Sequence, residues 1–473
     1  MKIVRLYLLL VVLPLLGVLG ILRLGQTLSA PPGQRLTDPA TAAPPMPTAF
    51  DLPTLLVQIA VILVAARLVG ALFRRIHQPQ VIGEMIAGIL LGPSLLGLVA
   101  PELFVSLFPP GSLGFLNALS QLGLLVFMFL VGLELDPELL RGRGQAALVI
   151  SHVSIVAPFL LGALLAFWLY PRLGEGDVGF TGFALFMGVA MSITAFPVLA
   201  RILQERGLLR TRVGAVTLAC AAVDDVTAWC ILAGVVMIVR AEATHLPLWW
   251  TLVGSTVYVM VMVYLVSPLL GRLVRWQQRE GQVSQSLLAV ALLLVLASAW
   301  ITEWLGIHAL FGAFLVGAIM PKDHIFVHTL TEKLRDFTVV LLLPIFFAFT
   351  GLRTRIGLVS GTQMWLICGL IILVAVAGKW GGSTAAARLS GLSWRESGAL
   401  GVLMNTRGLM ELVVLNIGLD IGVISPTVFA MMVIMALVTT FMTTPLLELI
   451  YPVRSIREDT LEPRVTPAPP VAA

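Results

Sequence analysis

Charge is scarce in this chain. Only 12% of its 473 residues are Asp, Glu, Lys or Arg, whereas 58% are hydrophobic; an average soluble domain carries about 25% charged residues. That scarcity excludes a soluble fold, because no water-exposed surface could hide so much apolar area. A bilayer accommodates it, since a spanning helix needs about 20 mostly apolar residues and buries them in lipid. Cysteine is also rare. Cys220, Cys230 and Cys368 all fall in apolar stretches, with neither metal-site spacing nor loop partners, and read as packing residues. No zinc-spaced histidine pair, intramembrane protease signature or phosphate-binding loop occurs, so enzymatic chemistry is unsupported and no cofactor is implied. The net charge of +5 is modest and fits cytoplasmic loops rather than nucleic-acid binding.

What remains is a succession of apolar runs. The first, ending near Leu22, follows Lys2 and Arg5 and has the outline of a signal peptide. A small-residue site at Leu28-Ser29-Ala30 is followed by Pro31 and Pro32, which leaves cleavage and retention as an anchor equally open. The organisation expected is therefore a signal peptide or signal anchor over 1–24, a Pro-rich linker over 25–50, a membrane domain over 51–450 and a disordered tail over 451–473. Within the membrane domain, apolar segments lie near 51–74, 80–98, 114–134, 145–170, 178–203, 212–239, 248–271, 284–304, 306–320, 336–352, 361–387, 396–419 and 424–450. This predicts an all-α integral membrane protein of about 13 transmembrane helices.

Basic residues set the orientation. One set of loops holds Arg74, Arg75, Arg141, Arg143, Arg201, Arg206, Arg210, Arg212, Arg272, Arg275, Arg279, Lys322, Lys333, Arg335, Arg388 and Arg395, and the tail adds Arg454, Arg457 and Arg464. The opposite side, linker included, holds Arg23, Arg35, Arg172, Arg240, Arg353 and Arg355. The asymmetry predicts a cytoplasmic C-terminus and a first core helix that starts outside, and the location expected is the plasma membrane.

The chain also echoes itself. Gly88-Ile-Leu-Leu-Gly92-Pro93 of the second segment has a looser counterpart in Gly312 to Gly317 and Pro321 of the ninth. Phe127, Gly132 and Leu133 of the third match Phe346, Gly351 and Leu352 of the tenth, and Gly188-Val-Ala-Met191 of the fifth matches Gly401-Val-Leu-Met404 of the twelfth. The offset is seven helices. An odd offset turns the second copy over, giving two inverted six-helix repeats around a linking seventh, a pattern typical of secondary transporters with a mid-membrane site.

A few charges lie where lipid should forbid them. Asp224 and Asp225 sit side by side in the middle of the sixth segment, where one ionised Asp costs about 2.5–3.5 kcal/mol and two would repel. Neighbours on a helix point about 100° apart, so both can flank one hydrated cavity that takes protons and cations, with one of the two free to be a structural ion-pair partner. Lys379, well inside the eleventh segment, is the candidate partner, and a buried lysine can also release a proton. In the fifth segment Pro197 frees a carbonyl one turn back, and with the hydroxyls of Ser192 and Thr194 this offers oxygen ligands to a small hard cation. At the matching place in the twelfth, Arg407 and Glu411 are four apart and can pair on one face, while Asn405 and Gly408 permit local unwinding. Arg407 is expected to neutralise half-helix ends. Glu84 follows Gly83 near a helix entrance, Glu303 and His308 lie near the outer loop, and these three and Arg67 read as ordinary structural residues.

Together, Gly83-Glu84-Met-Ile-Ala-Gly88-Ile-Leu-Leu-Gly92-Pro93, Thr194-Ala-Phe-Pro197, Asp224-Asp225, Lys379 and Asn405-Thr-Arg-Gly-Leu-Met-Glu411 resemble the monovalent cation:proton antiporters of the Kef, NapA and plant cation/proton exchanger branch, over roughly residues 51–450. The resemblance implies a mobile core domain and a dimerisation domain, a homodimer, and broken fifth and twelfth helices that cross beside the carboxylates. It implies that Asp225 carries the cation and proton and that Asp224 pairs with Lys379, an arrangement associated with electrogenic exchange of sodium. Kef-type potassium exchangers usually have a neutral residue at the position of Asp224, and the nucleotide-binding domain that gates them has no counterpart here. Both departures lean toward sodium, whereas the Asn405–Glu411 segment is closer to plant-type exchangers, in which potassium is common. The function expected is therefore exchange of a monovalent cation, sodium favoured and potassium open, for protons by alternating access. The alternatives are a Kef-like potassium/proton efflux antiporter, and a sodium-coupled organic solute symporter or channel of similar architecture.

Overall fold

In the computed structural model, the described residues are 7–31, 51–76, 78–134, 145–175, 178–208, 211–244, 248–278, 285–322 and 324–452. Lys2, Arg5, Arg141, Arg143, Arg210 and Arg279 lie outside them, as do most of the linker expected at 25–50 and nearly all of the tail expected at 451–473.

The described chain is helical throughout its apolar runs. In order come α1 (Leu8–Gly25), α2 (Leu52–Arg75), α3 (Gln80–Leu91), α4 (Leu113–Glu134), α5 (Gln145–Leu173), α6 (Phe180–Ser192), α7 (Phe196–Glu205), α8 (Arg212–Thr244), α9 (Trp249–Arg272), α10 (Gln285–Trp304), α11 (Ala309–Ile319), α12 (Val327–Leu358), α13 (Gly361–Leu389), α14 (Trp394–Met404), α15 (Leu409–Asp420) and α16 (Pro426–Ile450). Among the described residues, eleven spans are long and apolar enough to cross a membrane, α1 included, and the pair α14 and α15, bent by 44° at their break, makes a twelfth. The expected segments 178–203 and 306–320 do not reach that length. The first is interrupted at Ile193–Ala195, and the second holds only the eleven-residue α11. Outward-facing Leu68, Leu293, Trp300 and Leu366 present bare apolar surface, as lipid requires.

The helices fall into two bundles. α2, α3, α4, α10, α11 and α12 pack on one another, and α5 to α8 pack with α13 to α16; α9 follows α8 and leads into the first group. We call the first the scaffold and the second, which holds the buried charges, the transport bundle. α1 belongs with the latter: Val11, Val18 and Ile21 are buried, and it lies along α5 and α6.

Glycine contacts in the scaffold fall at positions the sequence repeat pairs. A Cβ on Gly92 would lie 2.6 Å from the Gly351 carbonyl oxygen, and one on Gly88 would lie 2.4 Å from that of Phe347, so α3 and α12 touch backbone to backbone. A Cβ on Gly132 would lie 2.2 Å from the Phe314 oxygen and one on Gly317 2.1 Å from the Phe129 oxygen, so α4 and α11 do the same. The repeat equates Gly92 with Gly317 and Gly351 with Gly132. The two contacts are therefore counterparts under the sequence repeat, and only glycine permits an approach this close.

Candidate functional site

Two helix breaks meet at the centre of the transport bundle. The chain leaves α6 at Ile193 and re-enters helix at Phe196, where Pro197 occupies the first turn of α7. Proline suits that position because its missing N–H would have had no helical partner. The fifth segment is broken here, as the family resemblance implied, and Pro197 begins its second half. The other break spans Asn405 to Gly408, between α14 and α15. The two breaks cross and bond: Ala195 N–H donates to the Thr406 carbonyl at 3.0 Å, and the Thr194 hydroxyl lies 3.1 Å from the Met404 carbonyl.

A crossing of this kind leaves helix-end carbonyls bare in a region without water. Two cations meet them. Arg407 donates through Nη1 to Ala190 O at 2.7 Å and through Nη2 to Met191 O at 2.6 Å, and pairs with Glu411 at 2.9 Å. Lys379 donates to Ser192 O at 2.5 Å and to Ser154 O at 3.0 Å. The last three carbonyls of α6 are thus held by residues of α13 and of the second break. Lys379 itself sits in a π-helical turn, Ala377–Gly381, and is fully buried, as is Glu411.

The adjacent carboxylates differ sharply. Asp224 is fully buried and saturated: Oδ2 accepts from Lys379 Nζ at 2.9 Å, Ser154 Oγ at 2.6 Å and Thr194 Oγ1 at 3.0 Å, and Oδ1 accepts from Ser151 Oγ at 2.7 Å. One ammonium and three hydroxyls satisfy it in place of water. Asp225, about one-twentieth exposed, accepts from the backbone N–H of Phe196 at the start of α7, but its Oδ1 is buried and accepts nothing. Asn405 Oδ1 and Thr406 Oγ1, at the same crossing, are also buried without a hydrogen-bond partner.

Of the residues singled out from sequence, Asp224, Thr194 and Lys379 form one bonded cluster, with Asp225 beside it and Arg407 and Glu411 bracing the crossing. Ser192 joins differently from expectation. Its hydroxyl donates to Gly188 O at 2.6 Å and Ile155 O at 2.9 Å, and it is the Ser192 carbonyl that meets Lys379. Sequence reasoning missed Ser151 and Ser154. Their spacing of three on an apolar helix places two hydroxyls on one face, which was the available signal. Glu303 also proves more engaged than a loop residue, pairing with Arg240 at 2.9 Å.

Residues 61–449 match the family described as sodium/hydrogen exchanger, transmembrane. The chain is 48% identical over 399 residues to the Na(+)/H(+) antiporter NhaS4 of a Synechocystis species, covering 84% of this chain and 97% of that protein. It is 43% identical to Cation/H(+) antiporter 17 of Arabidopsis thaliana, covering 86% of this chain and 49% of that one. It is 36% identical to K(+)/H(+) antiporter 1 of Saccharomyces cerevisiae, covering 87% and 48%. The chain thus spans nearly all of the Synechocystis relative and about half the length of the other two. The solved structure of the sodium proton antiporter MjNhaP1 from Methanocaldococcus jannaschii superposes with a TM-score of 0.62 at 15% identity, covering 86% of this chain and 100% of that one. At that identity the likeness is one of fold.

Proposed function

The chain belongs to the sodium/hydrogen exchanger family, and on that footing we propose that it exchanges a monovalent cation for protons through one site centred on Asp225. The observation that carries the assignment is the inequality of the two carboxylates: Asp224 accepts from four side-chain donors, whereas Asp225 Oδ1 accepts from none. A buried ionised carboxylate without a full set of partners is costly, so it takes up a counter-charge. A proton and a small cation both serve, and because each occupies the same oxygen they compete. Asp224, held by Lys379, supplies fixed polarity beside the ion, and the Thr194 oxygen lies between the carboxylates and the second break. Arg407 and Lys379 keep the α6 carbonyls satisfied throughout the cycle.

Competition becomes exchange when the site faces the two sides alternately. The transport bundle moves against the scaffold with Asp225 neutralised by either ligand, so no bare charge crosses the low-dielectric barrier. If the loaded site carries net charge, the membrane voltage contributes about 2.3 kcal/mol per charge per 100 mV. Sodium is the favoured cation, because the relative matched over nearly its whole length is a sodium antiporter by name; the potassium antiporter of yeast is matched over about half. We place the protein as a homodimer in the plasma membrane with the C-terminus cytoplasmic, as the loop charges suggest. The packing of α1 against α5 and α6 supports its retention as an anchor.

The test is proton flux in proteoliposomes containing a pH dye, challenged separately with sodium and with potassium, beside Asp225→Asn. A cation-dependent pH change that vanishes in the variant supports the assignment and identifies the ion. Undiminished exchange in Asp225→Asn would sink it. A folded protein silent to both cations points instead to a solute symporter or a channel.

A further inference from the structure

The seam between the bundles is closed at one end by two successive layers of side chains. α8 carries both the site and the first layer: Trp229 follows Asp225 by four residues, one helical turn or about 6 Å further along the axis. Its indole is buried against two rings of the scaffold, with centroids 5.4 Å from Phe311 edge-on and 6.3 Å from Phe314 nearly parallel. The second layer lies further along at the helix ends. Arg240, near the end of α8, pairs with Glu303 of α10 at 2.9 Å, and Glu303 also accepts the Ala309 N–H at the start of α11 at 2.9 Å. Arg353 of α12 pairs with Asp420 of α15 at 2.6 Å and donates to Asn416 Oδ1 at 3.1 Å; the Asn416 amide donates in turn to Thr350 Oγ1 at 2.9 Å. Each ion pair has one member on the transport bundle and one on the scaffold. His308, buried at the start of α11, stands within electrostatic reach of Arg240, Glu303 and Asp420, which joins the two pairs into one cluster.

From this arrangement we infer that Trp229, Phe311 and Phe314 together with the pairs Arg240–Glu303 and Arg353–Asp420 form a two-layer gate, which closes the path from Asp225 to this end of the molecule and must part when the bundles move. The layers divide the labour by chemistry. The aromatic layer is apolar and excludes water and hydrated cations next to the site. The ionic layer is partly solvated, with Arg240 and Arg353 each about a quarter exposed. Exposed pairs are worth little individually, so they can break and re-form within a transport cycle. In the topology proposed above, this end faces outward. The closed seam itself does not depend on which ion is exchanged; its role in the cycle rests on the exchange reading.

Two measurements test the gate in a background carrying Cys220→Ala, Cys230→Ala and Cys368→Ala. The first is independent of transport: the thiol introduced by Asp225→Cys is probed with an impermeant methanethiosulfonate from each side of sealed vesicles. From the Arg240 side it should react slowly, and much faster once Trp229→Ala is combined with Glu303→Gln and Asp420→Asn. Equally fast labelling from that side with the gate residues intact would overturn the proposal. In the second, Arg240→Cys/Glu303→Cys and, separately, Arg353→Cys/Asp420→Cys are bridged with a short bifunctional methanethiosulfonate. Exchange should be lost on bridging and return on reduction in each pair whose unbridged form exchanges. Full exchange by the bridged protein would show that this end need not open. If neither unbridged pair nor the background exchanges cations, the exchange reading fails, and sided labelling alone decides the gate.

Discussion

The scaffold and the transport bundle consist of similarly apolar helices, yet they cohere in opposite ways. In the scaffold, α3 meets α12 and α4 meets α11 with backbones in contact at Gly88, Gly92, Gly351, Gly132 and Gly317. Lipid gives helices no hydrophobic reason to associate, so close dispersion contact does that work. In the transport bundle the centre is polar: Asp224, Lys379, Arg407 and Glu411 are all buried, Asp224 bonded by hydroxyls and Lys379, the two cations by helix-end carbonyls, and Glu411 by Arg407. Backbone contact suits a part that must stay fixed. A bonded polar centre holds two broken helices together while leaving one oxygen each of Asp225 and Glu411 without a hydrogen-bond donor, the latter on a carboxylate already paired with Arg407. Under the exchange proposed above, the difference separates holding from carrying.

The comparison breaks most severely at Asp225. Asp225→Asn should abolish cation-dependent proton flux while shifting the melting temperature little, because the carboxylate it removes is the under-bonded one. In the parent protein, acidification should raise the apparent sodium KM by up to about tenfold per pH unit, as required when one proton and one cation compete for one group; a pH-independent KM would contradict a shared site. Next comes Lys379→Met, which strands Asp224 as an unpaired buried charge and should cost about 3–5 kcal/mol of stability. The double change Asp224→Asn/Lys379→Met should recover much of that loss, and thermal melts of the parent and the two variants in one detergent decide it. In the scaffold, Gly351→Ala drives a carbon into the backbone at Gly88 and should cost about 1–3 kcal/mol without altering sodium KM in the protein that still folds. A changed KM there would blur the division between holding and carrying. The smallest effect is expected of Ser151→Ala, which removes one of four donors to Asp224: about 1.5 kcal/mol, with exchange retained.

Much of the site was legible because lipid makes charge conspicuous. Asp224, Asp225, Lys379, Arg407 and Glu411 stand out in apolar runs, and the structure brings all five to one crossing. Ser151 and Ser154 did not stand out, since a hydroxyl can satisfy itself on its own helix and carries no cost that betrays it. Ser192 illustrates the converse. Its residue type suggested a ligand hydroxyl, but that hydroxyl bonds back to Gly188 and Ile155, leaving the carbonyl to act. The gate residues Arg240, Glu303, Arg353 and Asp420 lie near helix ends, where charge is ordinary, and only their pairing across the seam distinguishes them.

The sequence alone determined that the chain is a helical membrane protein, where its apolar segments lie, that two halves repeat, and which charges are out of place. Those properties follow from one-dimensional rules: lipid sets segment length, and burial penalises charge wherever it occurs. Tertiary structure decided how the two adjacent aspartates differ in their bonding. Asp224 and Asp225 are chemically identical neighbours, and what separates them is which one turns toward Lys379, Ser151, Ser154 and Thr194. Those four donors come from α5, the first break and α13, segments brought together only when the bundle packs.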